Sequence, residues 1–201
     1  MSAGILLIIS GPSGVGKGTV CRHLMTDRKN IKLSVSTTTR KPRPGEVEGR
    51  EYNFTSVSDF KEMIDQGSFL EWAEVHGDYY GTRLAAAEET VGRGEYLILE
   101  IDVQGALQVR QKRNDAVLIF LAPPSLKALE ERLRGRGTES AERIKQRLIT
   151  AGREMEAYHH YDYVVVNDKV EDAAALIGAI IDAEKCRVSR GVRPPIWGGE
   201  K

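Results

Sequence analysis

The sequence is poor in cysteine and contains no apolar run long enough to cross a membrane. Its two cysteines, Cys21 and Cys186, provide neither a disulfide framework nor metal-ligand spacing, which favours a reducing compartment. The longest apolar runs, residues 5–9 and 164–166, fall far short of the roughly 20 residues of a membrane span. Because the N-terminus also lacks a charged segment ahead of a signal-type apolar stretch, the sequence predicts a cytoplasmic protein with no membrane partner.

A net charge is missing as well. Lys plus Arg and Asp plus Glu number 29 each among the 201 residues, so no global field attracts nucleic acid, and any anion site must be local. Hydrophobic residues at 41% and charged residues at 29% are typical of a globular protein. The length suits one well-packed domain that carries small inserted subdomains.

What the chain does contain is an alternation of apolar runs and helical patterns. Segments with three-and-four spacing of apolar residues predict helices that bury one face. Ser56 and Asp59 form a candidate capping box, and Gly67 is a candidate helix end. Strands separated by helices predict an α/β fold, a doubly wound parallel sheet. The predicted buried strands are residues 5–9, 95–101, 116–121 and 163–166.

Two segments interrupt this alternation. Residues 34–82 contain KPRPGE, GREYNF and HGDYYGT, whose turn residues and aromatics predict an insertion beside the core. Residues 132–147 carry five arginines around a flexible RGRG. Residues 191–201 are predicted to form a loose tail.

The glycines that follow the first strand indicate anion binding. The stretch GPSGVGKGT, residues 11–19, fits a phosphate-binding loop, in which backbone N–H groups and a helix N-terminus converge on one anion. Lys17 would contact the transferable phosphates. The usual pattern has Ser or Thr after the lysine to ligate Mg²⁺, whereas this chain has Gly18, with Thr19 one place later. The alternative is a glycine-rich turn with a solvated lysine.

Two arginines in the insertion predict a second phosphate site. Arg40 and Arg43 lie in a loop that prolines keep from forming regular helix, and guanidinium groups bind phosphate bidentately. Tyr52 and the pair Tyr79-Tyr80 follow, and each can donate a phenolic hydrogen bond. Taken alone, a basic loop is explained equally well by solvation, and tyrosines on strands by packing.

These segments, with FLEWAEVHGDYYGT, LEIDVQG, RLRGRGTES and VVVND, occur in the order and spacing of guanylate kinases. The chain resembles that family from residue 5 to about residue 185. The resemblance implies a P-loop core of residues 1–33, 83–131 and 154–190, a mixed α/β GMP-binding insertion of residues 34–82 and a helical lid of residues 132–153. It implies transfer of a phosphoryl group from ATP to GMP or dGMP, with Mg²⁺ as cofactor.

Two alternatives remain at this stage. The same fold serves as a protein-interaction module in scaffolds, although such modules typically lose the phosphate loop that this chain keeps. A kinase for another phosphorylated acceptor is the second alternative. The sequence leaves the oligomeric state open.

Position by position, the resemblance assigns roles to residues of this chain. ATP would be bound by Gly11, Pro12, Ser13, Gly14, Val15, Gly16, Lys17, Gly18, Thr19, Asn167 and Asp168. GMP would be bound by Ser36, Arg40, Arg43, Tyr52, Glu71, Tyr80, Thr82 and Asp102. The catalytic cations would be Lys17, Arg40, Arg136 and Arg147, with Arg132 and Arg143 as candidate partners. Glu100 and Asp102 would reach Mg²⁺ through water.

Glu71 is the assignment that the chemistry supports best. Guanine presents N1–H and its 2-amino group side by side, and both can donate to one carboxylate. Adenine has an acceptor at N1 and no 2-amino group, so a buried carboxylate would reject it, by a factor on the order of 10⁴. Without the resemblance, an exposed strand carboxylate beside Trp72 is the simpler interpretation.

The arginines of the lid have an electrostatic rationale. Phosphoryl transfer spreads charge over the equatorial oxygens, so cations around the moving group promote it and no side-chain nucleophile is needed. Glycines on both sides of Arg136 let its segment move. Arginines that merely face water are the alternative. His159-His160 lacks a third ligand at metal spacing and predicts no metal site.

Overall fold

Two β-sheets organise the chain, in a computed structural model that describes residues 4–75, 77–135 and 140–192. The strands are β1 (Ile5–Ser10), β2 (Ile31–Leu33), β3 (Thr37–Thr38), β4 (Asn53–Phe54), β5 (Phe69–Val75), β6 (Asp78–Arg83), β7 (Tyr96–Glu100), β8 (Val117–Ala122) and β9 (Tyr163–Val166). The α-helices are α1 (Lys17–Asp27), α2 (Val57–Asp65), α3 (Leu84–Gly92), α4 (Val103–Lys112), α5 (Leu126–Gly135), α6 (Ala141–Met155) and α7 (Val170–Lys185). Two 3₁₀ helices cover Glu156–His160 and Val188–Arg190.

The first sheet is parallel, in the order β2-β7-β1-β8-β9. Its central strand β1 is buried along its whole length, because helices cover both faces. Ile5, Leu7 and Ile9 pack in the cluster that contains α1 and α7, while Leu6 and Ile8 pack in the cluster that contains α3 and α4. The predicted doubly wound α/β core is therefore confirmed.

The second sheet is mixed and has the order β4-β3-β6-β5. Strands β5 and β6 form an antiparallel hairpin, β3 pairs antiparallel with β6, and β4 pairs parallel with β3. Helix α2 covers this sheet with Phe60, whose ring stacks 4.3 Å from that of Phe69 and lies 5.5 Å from that of Tyr79. The segment after β2 therefore has an aromatic cluster of its own.

The predicted signals at the ends of α2 are present. The Ser56 hydroxyl accepts from the Asp59 N–H at 3.1 Å, as an N-cap does. Gly67 follows the helix with φ of 67°, a conformation that glycine adopts without strain. At the start of α5, the Ser125 hydroxyl accepts from the Ala128 N–H at 3.0 Å.

Helices α5 and α6 pack against each other through Leu129, Leu133, Ile144 and Ala151. Arg136, a predicted catalytic cation, lies outside the described residues, as does most of the predicted tail. Of the helices in the described ranges, none combines the length and the apolarity that crossing a bilayer requires.

Candidate active site

A loop of residues 11–16 joins β1 to α1 and lines the first cavity of the site. Gly11 and Gly16 have φ of 143° and 100°, values that residues with a Cβ rarely adopt. A Cβ on Gly11 would also overlap the carbonyl oxygen of Leu121. Glycine is therefore required where the chain turns. The first turn of α1 lines a cavity of about 380 Å³, and the backbone N–H groups of such a turn have no partner within the helix.

Lys17 is the partly buried cation of this loop. Its Nζ donates to the carbonyl oxygen of Gly11 at 2.6 Å and to that of Pro12 at 3.4 Å. Burial lowers the pKa of Lys17, and the carboxylates of Glu100, Glu154 and Asp102 oppose that shift. The ammonium group thus lies among acids, at the position where a bound polyphosphate would bring negative charge.

Side chains from distant elements brace the loop. Asn167 is buried and its Nδ2 donates to the carbonyl oxygen of Val15 at 2.7 Å. Arg132 donates to the same oxygen at 3.3 Å and to the carbonyl oxygens of Asn167 and Asp168 at 2.8 and 3.2 Å. Arg132, the predicted partner of the lid arginines, therefore contacts the loop through hydrogen bonds. The Asn167 side chain stabilises the loop through its hydrogen bond to Val15.

A second cavity, of about 200 Å³, contains a buried carboxylate. Glu71 and Thr82 face each other across β5 and β6, and Thr82 Oγ1 donates to Glu71 Oε1 at 2.6 Å. Glu71 is only 5% exposed, which excludes the simpler interpretation of an exposed strand carboxylate. Burial raises the pKa of Glu71, and the hydrogen bond from Thr82 opposes that shift. The cavity also brings together the predicted residues Ser36, Tyr52, Tyr80 and Asp102.

In the loop that contains Arg40 and Arg43, both residues donate hydrogen bonds to one carboxylate, that of Glu46. Arg40 Nη2 donates to both oxygens of Glu46 at 2.8 and 3.0 Å, and the Arg43 N–H donates to Glu46 at 2.8 Å. The Arg40 guanidinium lies 5.2 Å from the centroid of the Tyr52 ring, and the Tyr52 and Tyr80 rings are 6.0 Å apart. Arg40 therefore lies beside the second cavity, whereas Arg43 is exposed.

The two cavities meet at the C-terminal end of β7. Glu100 lines both of them. Asp102 lines the second cavity and a third, which Ser13, Arg147 and Glu154 also line. Arg147 Nη2 donates to Ser13 Oγ at 2.8 Å, so α6 reaches back to the loop. The carboxyl end of a parallel sheet is where α/β folds bind ligands.

Glu100 also approaches α1. A Cβ on Gly18 would lie 3.1 and 3.3 Å from the two carboxylate oxygens of Glu100, so the missing side chain lets the acid lie beside the first turn of the helix. Across the described ranges, no group of three or more His, Cys, Asp or Glu side chains could hold a metal ion directly. Glu100 and Asp102 are carboxylates at this end of the sheet, and carboxylate oxygen is a ligand that Mg²⁺ takes together with its own water.

Some residues of the site were not predicted. Glu154 Oε2 is buried and has no hydrogen-bond partner in the described part of the chain, and burial raises the pKa of this acid against the opposing charge of Lys17. Glu154 lies seven residues after Arg147 on α6, a spacing that puts both on one helix face and could have revealed it. Arg22, on α1, lines the first cavity.

Comparisons with known proteins identify the family. The sequence model of the guanylate kinase family matches residues 4–184. This chain belongs to the guanylate kinase family. It is 50% identical to the guanylate kinase of Desulfitobacterium hafniense over 98% of this chain and 97% of that protein. It is 52% identical to that of Lactococcus lactis over 93% of this chain and 91% of that protein.

The family is also evident in solved structures. The crystal structure of guanylate kinase from Anaplasma phagocytophilum matches with a TM-score of 0.76 at 35% identity, over 94% of this chain and 90% of that one. Shikimate kinase from Acinetobacter baumannii, in complex with shikimate, matches with a TM-score of 0.51 at 16% identity and shares the fold alone. The family and the α/β fold implied by the resemblance are thus confirmed, and the protein is a nucleoside monophosphate kinase, a phosphotransferase.

Proposed function

We propose that this chain transfers the terminal phosphoryl group of ATP to GMP or dGMP. The observation that supports this most strongly is the meeting of two cavities at Glu100. One is lined by a glycine loop and a partly buried lysine, and the other by a buried carboxylate beside tyrosines. Two nucleotides bound there would have their phosphates adjacent, as in-line transfer requires.

ATP would lie on the loop of residues 11–19. The N–H groups of the first turn of α1 would bind its phosphates, and Lys17 would turn from the carbonyls of Gly11 and Pro12 to the transferred group. Arg147 already contacts Ser13 of the loop and would add charge beside the equatorial oxygens. We assign the same role to Arg136. Asn167 and Asp168 would bind ATP on its adenine side.

GMP would lie in the second cavity. Thr82 uses one lone pair of Glu71 Oε1, which leaves acceptor capacity on both oxygens for guanine N1–H and the 2-amino group. Ser36 and Asp102, which line the same cavity, would complete the base site. Its phosphate would be bound by Arg40, Arg43, Tyr52 and Tyr80, by the planar and bidentate geometry that guanidinium offers.

Mg²⁺ is the cofactor we propose. Glu100 and Asp102 would hold it through its own water molecules, because Gly18 offers no hydroxyl and leaves the Glu100 carboxylate close to α1. When bound with ATP, the ion would supply positive charge to the phosphates. The protein's own contribution is to place the carboxylates of Glu100 and Asp102, at the end of β7, where they would face the ion.

We propose three functional units: a core of residues 1–33, 83–131 and 154–190, a GMP-binding insertion of residues 34–82, and a lid of residues 132–153. The second sheet and its aromatic cluster support the insertion. The small apolar cluster between α5 and α6 supports the lid. We also propose a cytoplasmic location, in keeping with the free cysteines Cys21 and Cys186.

The test is an ADP-release assay with ATP, Mg²⁺ and one acceptor at a time: GMP, dGMP, AMP, CMP, UMP or dTMP. We expect turnover with GMP and dGMP and none above the ATP-only background with the others. Comparable turnover with any other acceptor would contradict the guanine assignment, and turnover with none of the six would contradict the kinase reaction.

A further inference from the structure

Strand β5, which carries Glu71, is an edge strand of its sheet. Backbone groups on the outer side of an edge strand have no neighbouring strand to pair with. Here the side-chain amide of Gln108, on α4, takes that place. Gln108 Nε2 donates to the Trp72 carbonyl at 2.8 Å, and the Trp72 N–H donates to Gln108 Oε1 at 3.2 Å. One side chain thus pairs with both backbone groups of the residue next to Glu71.

The inner side of β5 is irregular at the same place. The pairing register with β6 shifts between Phe69 and Glu71, and such a shift interrupts the ladder of hydrogen bonds around it. Helix α4 contacts the strand on both sides of the shift, because Lys112 Nζ donates to the Phe69 carbonyl at 3.0 Å. The position of the backbone around Glu71 therefore depends on α4 as well as on β6.

The same helix face lies against the carboxylate itself. A Cβ on Gly105 would come within 2.8 Å of Glu71 Oε2, so the acid lies directly on the first turn of α4. Gly105, Gln108 and Lys112 are spaced by three and four residues, which puts them on one face of the helix. This helix face contacts the outer side of β5, while Thr82, on the neighbouring strand β6, donates to Glu71 Oε1.

We propose that Gln108 is a positioning residue, which aims the Glu71 carboxylate so that both of its oxygens reach guanine. This inference rests on the proposed function. Gln108 does not touch the base; it sets the backbone from which Glu71 extends. Its loss should therefore reduce discrimination at the 2-amino group of guanine rather than binding of ATP.

The test variant is Gln108→Met, which keeps the length and packing of the side chain and removes both hydrogen bonds. The control is Gln111→Met, at an exposed position of the same helix. We expect kcat/KM for GMP to fall about tenfold in Gln108→Met, the loss expected when a misaligned Glu71 gives up one hydrogen bond from guanine to its charged carboxylate. KM for ATP should stay within about twofold of the parent, and the control should match the parent in both.

The specificity readout compares GMP with inosine monophosphate, which lacks only the 2-amino group. We expect Gln108→Met to lower the GMP-to-inosine-monophosphate ratio of kcat/KM at least about threefold, which is half of a tenfold step on a logarithmic scale. Equal losses for both acceptors would overturn the positioning role. Gln108→Ala, measured beside thermal melting, should give the same lowered ratio; a melting point reduced with an unchanged ratio would also overturn it.

A double variant separates this inference from the proposed function. In a Glu71→Gln background, adding Gln108→Met should leave the ratio unchanged within about twofold, because the group that Gln108 positions is already altered. If Glu71→Gln alone leaves the ratio at the parental value, base reading by Glu71 is wrong. If Glu71→Gln lowers the ratio and Gln108→Met does not, base reading stands and the role of Gln108 is overturned.

Discussion

Glu71→Gln changes one oxygen of the guanine site into an amide nitrogen. The amide keeps one acceptor for guanine and turns the other into a donor that faces a donor. Hydrogen bonds to charged groups are worth about 1.5–3 kcal/mol, so we expect kcat/KM for GMP to fall roughly 10- to 150-fold. KM for ATP should change by less than about twofold, because the carboxylate lies in the cavity that the loop of residues 11–19 does not line.

The melting temperature of Glu71→Gln should respond in the opposite direction to its kcat/KM. Burial raises the pKa of Glu71 in the folded protein, so the stability that this group contributes is complete below its unfolded pKa and is lost as pH rises through the folded pKa. Glutamine carries no such penalty. We therefore expect Glu71→Gln to unfold at the same or a higher temperature than the parent at about pH 8, with the difference shrinking toward about pH 4.5.

The assays are initial-rate kinetics with each nucleotide varied in turn and thermal unfolding at both pH values. Glu74→Gln, an exposed carboxylate on the same strand, is the control and should leave both unchanged. Equal losses of kcat/KM for ATP and GMP, or no loss for either, would refute base reading by Glu71. A lower melting temperature of Glu71→Gln at about pH 8 would refute the burial penalty.

Three further outcomes are expected. Lys17→Met should lower kcat at least 10²-fold, since one oriented charge on the reacting group is worth that much, with little change in melting temperature; unchanged turnover would reject the loop assignment. Phe60→Ala should reduce the free energy of unfolding by about 3–5 kcal/mol in urea titrations, because Phe60 is fully buried and stacks on Phe69; a loss below about 1 kcal/mol would contradict that packing. One thiol, Cys186, should react rapidly with a disulfide reagent, whereas burial raises the pKa of Cys21 to about 12; two fast thiols would contradict this.

The core could be predicted from the sequence because its signals are local. The strands β1, β7, β8 and β9 are short apolar runs, and the ends of α2 carry their own cap and glycine. Strand β2 was missed because it has three residues, of which Lys32 and Leu33 are exposed at the sheet edge, and such a strand leaves almost no apolar pattern.

Parts of the site could not be predicted because they depend on contacts between distant residues. Asn167 braces the loop across 152 positions of sequence, and Gln108 pairs with Trp72 across 36. Nothing in the neighbourhood of either residue indicates its partner. The burial of Glu71 likewise follows from the docking of β5 on α4, which residue spacing along either element does not encode.

The most direct measurement uses a compound in which adenosine and guanosine are joined through a chain of phosphates. Its binding to the purified protein in the presence of Mg²⁺ is measured by calorimetry. If the glycine loop and the Glu71 cavity hold two nucleotides with adjacent phosphates, the compound binds one to one and at least about 100-fold more tightly than ATP or GMP alone. Lys17→Met and Glu71→Gln should each weaken it. Binding no tighter than that of ATP, with GMP still able to bind beside the compound, would contradict two facing phosphate sites.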